Sequence, residues 1–213
     1  MVFRAWSGFL LSLVLLCGCR SAYYSTMEKF GVHKRDLLKK SVVAAREDEK
    51  AAGQQFTNAL TRLKEVYGFQ GGDLEKAYNG LSREYERSVE RANVVHKRIK
   101  EMETVAADLF AEWQKELQQI TSSKLQESDR DKLQETRRRY DELHAALKRA
   151  ERSMDPVLTR LRDQVLYLKH NLNAAAIASL RGESTNIQAE IAKLLEDMNA
   201  AIAQADTFIN TLP

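Results

Sequence analysis

Stepping alternately by four and three residues from Leu74 lands on Tyr78, Leu81, Tyr85, Ser88, Ala92, Val95, Ile99, Met102, Ala106, Leu109, Trp113, Glu116 and Ile120, and twelve of these fourteen positions can face an apolar core. A period of 3.5 residues held for nearly seven heptads belongs to a helix that buries one face along its whole length. The same walk from Leu38 meets Val42, Ala45, Glu49, Ala52, Phe56, Ala59, Leu63 and Val66, and from Ile187 it meets Ile191, Leu194, Met198, Ala201, Ala205, Phe208 and Leu212. A third run keeps a seven-residue step through Leu133, Tyr140, Leu147, Met154, Leu161 and Leu168. No stretch of comparable length alternates as a strand would, so the expected fold is all-α, an elongated antiparallel bundle or coiled coil.

Composition agrees, because two prolines and nine glycines in 213 residues leave few places to interrupt a helix. Gly68-Phe69-Gln70-Gly71-Gly72-Asp73 pairs chain-reversing glycines with an Asp able to cap the next helix. Thr121 to Ser128 is mostly polar, and Gly182 followed by Thr185 and Gln188 offers a stop and then a capping box. Ser25 with Glu28 offers another such box at the start. These marks predict four helical segments over 26–67, 73–120, 128–181 and 184–211, with short connections that make neighbours antiparallel. Asp155-Pro156 could open a new helix, but the step from Met154 to Leu161 passes without a slip, which favours one kinked helix. At 1.5 Å per residue the second and third segments would run roughly 70 and 80 Å, so a rod is expected.

The amino-terminal residues carry a separate signal. Arg4 precedes about nine largely apolar residues, Gly8 to Leu16, which suits a signal-peptide core and is too short to span a bilayer. Leu16-Cys17-Gly18-Cys19 then resembles a lipobox. On that resemblance residues 1–18 are a lipoprotein signal peptide, Cys19 is the acylated first residue of the mature chain, and 19–25 form a tether to the helical domain 26–213. Acyl chains such as palmitate would anchor the chain without spanning the membrane. With Cys17 removed and Cys19 modified, the exported part would have no thiol to pair, so packing alone must stabilise it. Arg20 follows the cysteine where lipoproteins kept in the inner membrane often carry Asp, which points to the outer membrane of a bacterial envelope, facing the periplasm.

Charge is uneven along the chain. Between Met27 and Arg46 six basic residues, Lys29, Lys34, Arg35, Lys39, Lys40 and Arg46, oppose only Glu28 and Asp36. Lys29, Lys34, Arg35, Lys39 and Lys40, close to the lipid anchor, are therefore candidates to touch anionic headgroups; the plainer reading is a solvated helix face. The segment 183–213 instead sets Lys193 against Glu183, Glu190, Glu196, Asp197 and Asp206, so basic residues elsewhere are expected to flank it. A net charge of +3 and the lack of stacking aromatics around Arg137-Arg138-Arg139 speak against nucleic acid.

Sites for chemistry are hard to find. Asp141 and His144 lie three apart, as ligands do in di-iron bundles, but no second carboxylate-x-x-His pair accompanies them. No metal site is expected, and His33, His96, His144 and His170 read as surface or boundary residues. Nucleophile-elbow, phosphate-loop, Cys-x-x-Cys and His-Glu-x-x-His motifs are all missing from the sequence. Trp113, Tyr78 and Tyr85 sit on seam positions where packing accounts for them. No catalytic residue and no cofactor are expected, and an enzyme is not.

The stretches Ser25 to Arg35, Tyr67-Gly68-Phe69-Gln70-Gly71-Gly72-Asp73-Leu74-Glu75, Asp108-Leu109-Phe110-Ala111-Glu112-Trp113 and Leu161 to Asn173 resemble a bacterial family of predicted lipoproteins, the domain of unknown function 2959. The resemblance covers nearly the whole mature chain and implies a small helical lipoprotein with no assigned activity. Two expectations follow. One is a non-enzymatic, lipid-anchored rod that scaffolds or binds an envelope protein or copies of itself, using apolar side chains outside the seam such as Leu158, Val165 and Leu172. The other is a membrane-binding or membrane-shaping module similar in outline to BAR domains, with Lys34 to Lys40 on the lipid.

Overall fold

The computed structural model describes residues 34–71 and 73–212. Four helices account for nearly all of them: α1 Lys34–Tyr67, α2 Leu74–Leu117, α3 Ser123–His170 and α4 Ala174–Thr211. Each packs along its chain neighbour, and α4 closes against α1, giving an up-down-up-down antiparallel bundle. With 44 residues in α2 and 48 in α3, the rod is on the order of 70 Å long at 1.5 Å per residue. No described helix is both long and apolar enough to cross a membrane.

The seams become the core. Leu38, Val42, Phe56 and Leu63 of α1, Leu81, Ile99 and Met102 of α2, Leu147, Met154, Leu161 and Leu168 of α3, and Ile187, Ile191, Leu194 and Phe208 of α4 are all buried. Fully burying one such side chain is worth roughly 1.5–3 kcal/mol. Positions beside the seam are buried too, among them Leu143, Ala146, Ala150 and Val157. A helix with two bundle neighbours needs a wider apolar face than a two-stranded coil does.

The first turn follows the expected chemistry. Asp73 accepts a hydrogen bond from the Lys76 amide at 2.9 Å and so caps α2. Gly71 has φ +155°, a backbone setting that L side chains rarely adopt. Arg181 of α4 donates to the carbonyls of Tyr67 and, at 3.0 Å, Phe69, satisfying acceptors at the end of α1.

Two expected boundaries are corrected. The break between the second and third helices exists but falls at 118–122, earlier than the span of the polar stretch 121–128; α3 starts at Ser123, and Gln126 donates back to the Leu117 carbonyl at 3.1 Å. Lys, Gln and Glu are good helix formers, so polarity there marked only the end of burial. Nor does the chain turn at Gly182. It turns at 171–173, where Asn173 accepts from the Ala176 amide at 2.9 Å and the Asn171 side chain donates to the Tyr167 carbonyl at 3.0 Å. Leu180 and Ile177, buried upstream of Ile187, carry the seam through the glycine.

Gly182 therefore tests this register. A Cβ built on it meets nothing within 4 Å, so Gly182→Ala should stabilise the protein by about 0.5–1 kcal/mol through helix propensity. A measured loss on urea unfolding would return the residue to a turn. The helix does run through Pro156, as the unbroken seam implied. Pro156 is exposed while Met154 and Val157 on either side are buried, so packing holds the turn that the missing amide weakens.

Candidate functional site

The basic candidates are divided by the fold. Lys34 turns inward onto Glu112 of α2, leaving 12% of its side chain exposed. Arg35, Lys39 and Lys40 are exposed and form no ion pair among the described residues. Arg35 and Lys39 are four apart and share one side of α1, with Lys40 next to it. Lys29 and Cys19 lie outside the described residues, as does His33. Arg46 is taken up by Asp206 of α4 at 2.6 Å and by Glu47 at 2.7 Å. With Arg160 on Glu190 at 2.6 Å, this places basic residues of other helices against the acidic α4.

Side chains expected to be spare are mostly not. Val165 is buried in the core and Leu158 packs partly buried against it, because both fall on the wider face that a four-helix bundle buries. Leu172 is exposed, together with Leu166 and Tyr167, at the end where α3 turns into α4. This end is opposite the start of α1. Leu125, 63% exposed, stands near the other end, at the start of α3.

The arginine triplet has local partners. Arg138 pairs with Glu135 at 2.8 Å and Glu142 at 2.5 Å, Arg139 with Glu135 at 2.7 Å, and Arg137 lies 5.1 Å from the centroid of the Phe110 ring. His144 approaches Glu103 at 2.7 Å and stacks on Tyr140, while Asp141 is exposed. Among the described residues no three His, Cys, Asp or Glu side chains come together as a metal site would require. Trp113 lies partly buried against the core and donates to Asp129 at 2.9 Å, tying α2 to α3.

The most unusual chemistry lies mid-rod. Glu49, on a seam position of α1, is 0% exposed, and neither carboxylate oxygen has a hydrogen-bond partner. Burial first, and then the charges of Glu151 and Asp48, push its carboxyl up to about 8. Glu151 of α3 is also buried but is partnered, by His96 of α2 at 2.5 Å and by Lys148. Burial would raise the Glu151 carboxyl, and the hydrogen bonds from Lys148 and His96 outweigh it, leaving it below the usual range. Asp48 is engaged by Arg98 at 2.8 Å. The heptad walk passes through Glu49, yet spacing alone carried no sign that it lacks a partner.

Four antiparallel helices of 34 to 48 residues around one continuous apolar core define a long-helix bundle protein. The chain belongs to the family described as protein of unknown function (DUF2959), whose profile matches residues 23–212. No curated protein and no solved structure shows a significant match.

Proposed function

We propose that this chain is a non-enzymatic, lipid-anchored protein of the bacterial envelope, a rod whose far end engages a protein partner or another copy. The observation that carries this reading is the placement of Leu166, Tyr167 and Leu172. They are exposed at the α3–α4 turn, the length of the bundle away from residue 34, where the chain that follows Cys19 enters the rod. Apolar side chains at the tip of a tethered post meet partners before solvent-facing flanks do.

The test is to substitute Ser for all three in the lipidated chain and to cross-link from neighbouring position 169. Unfolding should move by less than about 0.5 kcal/mol, as surface changes usually do, while the cross-linked species disappears. Cross-linking that survives the triple substitution would remove the tip from consideration.

A second reading, a BAR-like membrane-binding module, draws support from the unpaired Arg35, Lys39 and Lys40. Each basic residue near an anionic surface is worth about 1 kcal/mol. Replacing all three with Ala in unlipidated 20–213 should therefore weaken binding to anionic vesicles by about a hundredfold. Binding that is absent from the start, or unchanged by the substitutions, would dismiss this reading.

A further inference from the structure

We propose that Glu49 is a proton-binding site built into the bundle core, and that its protonation couples the tightness of the rod's middle to pH. The geometry is that of a site for a proton rather than for an ion. Both oxygens are enclosed without a partner, while His96, Arg98 and Lys148 face other carboxylates.

Every helix around Glu49 bears this out. On α1, Asp48 is held by Arg98, and Arg46 by Asp206 and Glu47. On α2, His96 faces Glu151 and Arg98 faces Asp48 and, at 2.7 Å, Glu101. On α3, Glu151 takes Lys148. On α4, the pair Arg46–Asp206 and Met198, whose sulfur lies 3.7 Å from where a Cβ on Gly53 would sit, bracket the level of Glu49. Between them α4 buries Ala201 and Ala205, and its acid Asp197 is taken by Lys193 at 2.6 Å and Ser153 at 2.7 Å. Among the described residues no cation reaches Glu49; Arg149 and Arg152 of α3, which flank Glu151, are exposed to solvent instead. The neutral acid is therefore the form this layer accepts.

The direction of the effect follows from linkage. The folded protein holds the Glu49 proton up to about pH 8, whereas the unfolded chain releases it near the ordinary value of 4.5. Stability from this group is therefore complete below about pH 4.5 and falls as pH rises towards 8, the unfolding constant growing up to tenfold per pH unit. Above 8 the carboxylate is charged in both states and the group adds no further slope. Small alanines line the layer at positions 45, 52, 92, 150 and 201, so water reaching a charged Glu49 would have to part the helices.

The experiment compares urea unfolding of the full chain and of E49Q from pH 5 to 9. The ratio of the two unfolding constants should climb by up to tenfold per unit and level off near pH 8. Groups common to both proteins cancel in that ratio. E49L, which also lacks the titrating group, must give the same slope, so the test survives if one variant folds poorly. A flat ratio overturns the proposal. Infrared spectra supply the direct readout: a carboxylic-acid carbonyl band present at pH 6, lost by pH 9 and missing from E49Q supports it, and no such band at pH 6 overturns it.

Discussion

Phe56→Ala should cost the bundle about 3–5 kcal/mol, the range for truncating a fully buried aromatic side chain. Phe56 is 0% exposed on the seam of α1, and its seam neighbours on that helix are Ala52 and Ala59. Neither alanine has side-chain length to swing into the space left behind, so the cavity persists and its cost adds to the lost transfer energy. Typical domains hold only about 5–15 kcal/mol in total, so the variant stands near the edge of folding. The melting temperature should fall by about 6–20 °C, at 2–4 °C per kcal/mol for a chain of this size. A loss below about 1 kcal/mol on urea unfolding would mean that the helices close over the gap.

Gln164→Leu should cost about 1–3 kcal/mol for a different reason. Tyr67 reaches from α1 to the diagonally opposite α3 and donates its hydroxyl to the Gln164 side-chain oxygen at 2.7 Å, with both residues buried. Removing only the acceptor strands the hydroxyl away from water, and that desolvation is the main cost. Tyr67→Phe leaves the complementary orphan. The double substitution removes both polar groups and should cost less than the sum of the single changes. Additive losses would show that water replaces the missing partner.

Helices and core were legible because the heptad is a long signal. Leu133, Tyr140, Leu147, Met154, Leu161 and Leu168, read at a strict seven-residue step, are all buried. The width of the buried face was not legible. Val165 looks spare beside a two-residue seam and becomes core once a second neighbouring helix covers it. Turn position was misread for a similar reason: Gly182 is the stronger local mark, but an exposed glycine costs a helix only about 1 kcal/mol, and Ile177 and Leu180 bury enough apolar surface to exceed that. Asn171 and Asn173, which form the real turn, resemble many polar residues until their side chains are seen on Tyr167 and Ala176.

The candidate site was less legible than the fold. Of the five basic residues proposed for lipid, sequence position could not say that Lys34 meets a glutamate 78 residues away. Nor could it reveal Glu49 as an orphan, because that depends on which side chains of three other helices reach it, and none does. Secondary structure follows from periodic neighbours, whereas the state of a buried acid follows from every group around it.

An even number of helices returns the chain to its starting side. Leu212 ends α4 beside the beginning of α1, and Arg139 donates at 3.4 Å to the Thr211 carbonyl there. The chain thus enters the described rod at residue 34 and leaves it at 212 on one and the same pole. A fluorophore or affinity tag meant to report on the opposite pole has to be inserted in the 68–73 or 171–173 turn; placed on the carboxyl terminus, it would light up the base and leave the tip dark.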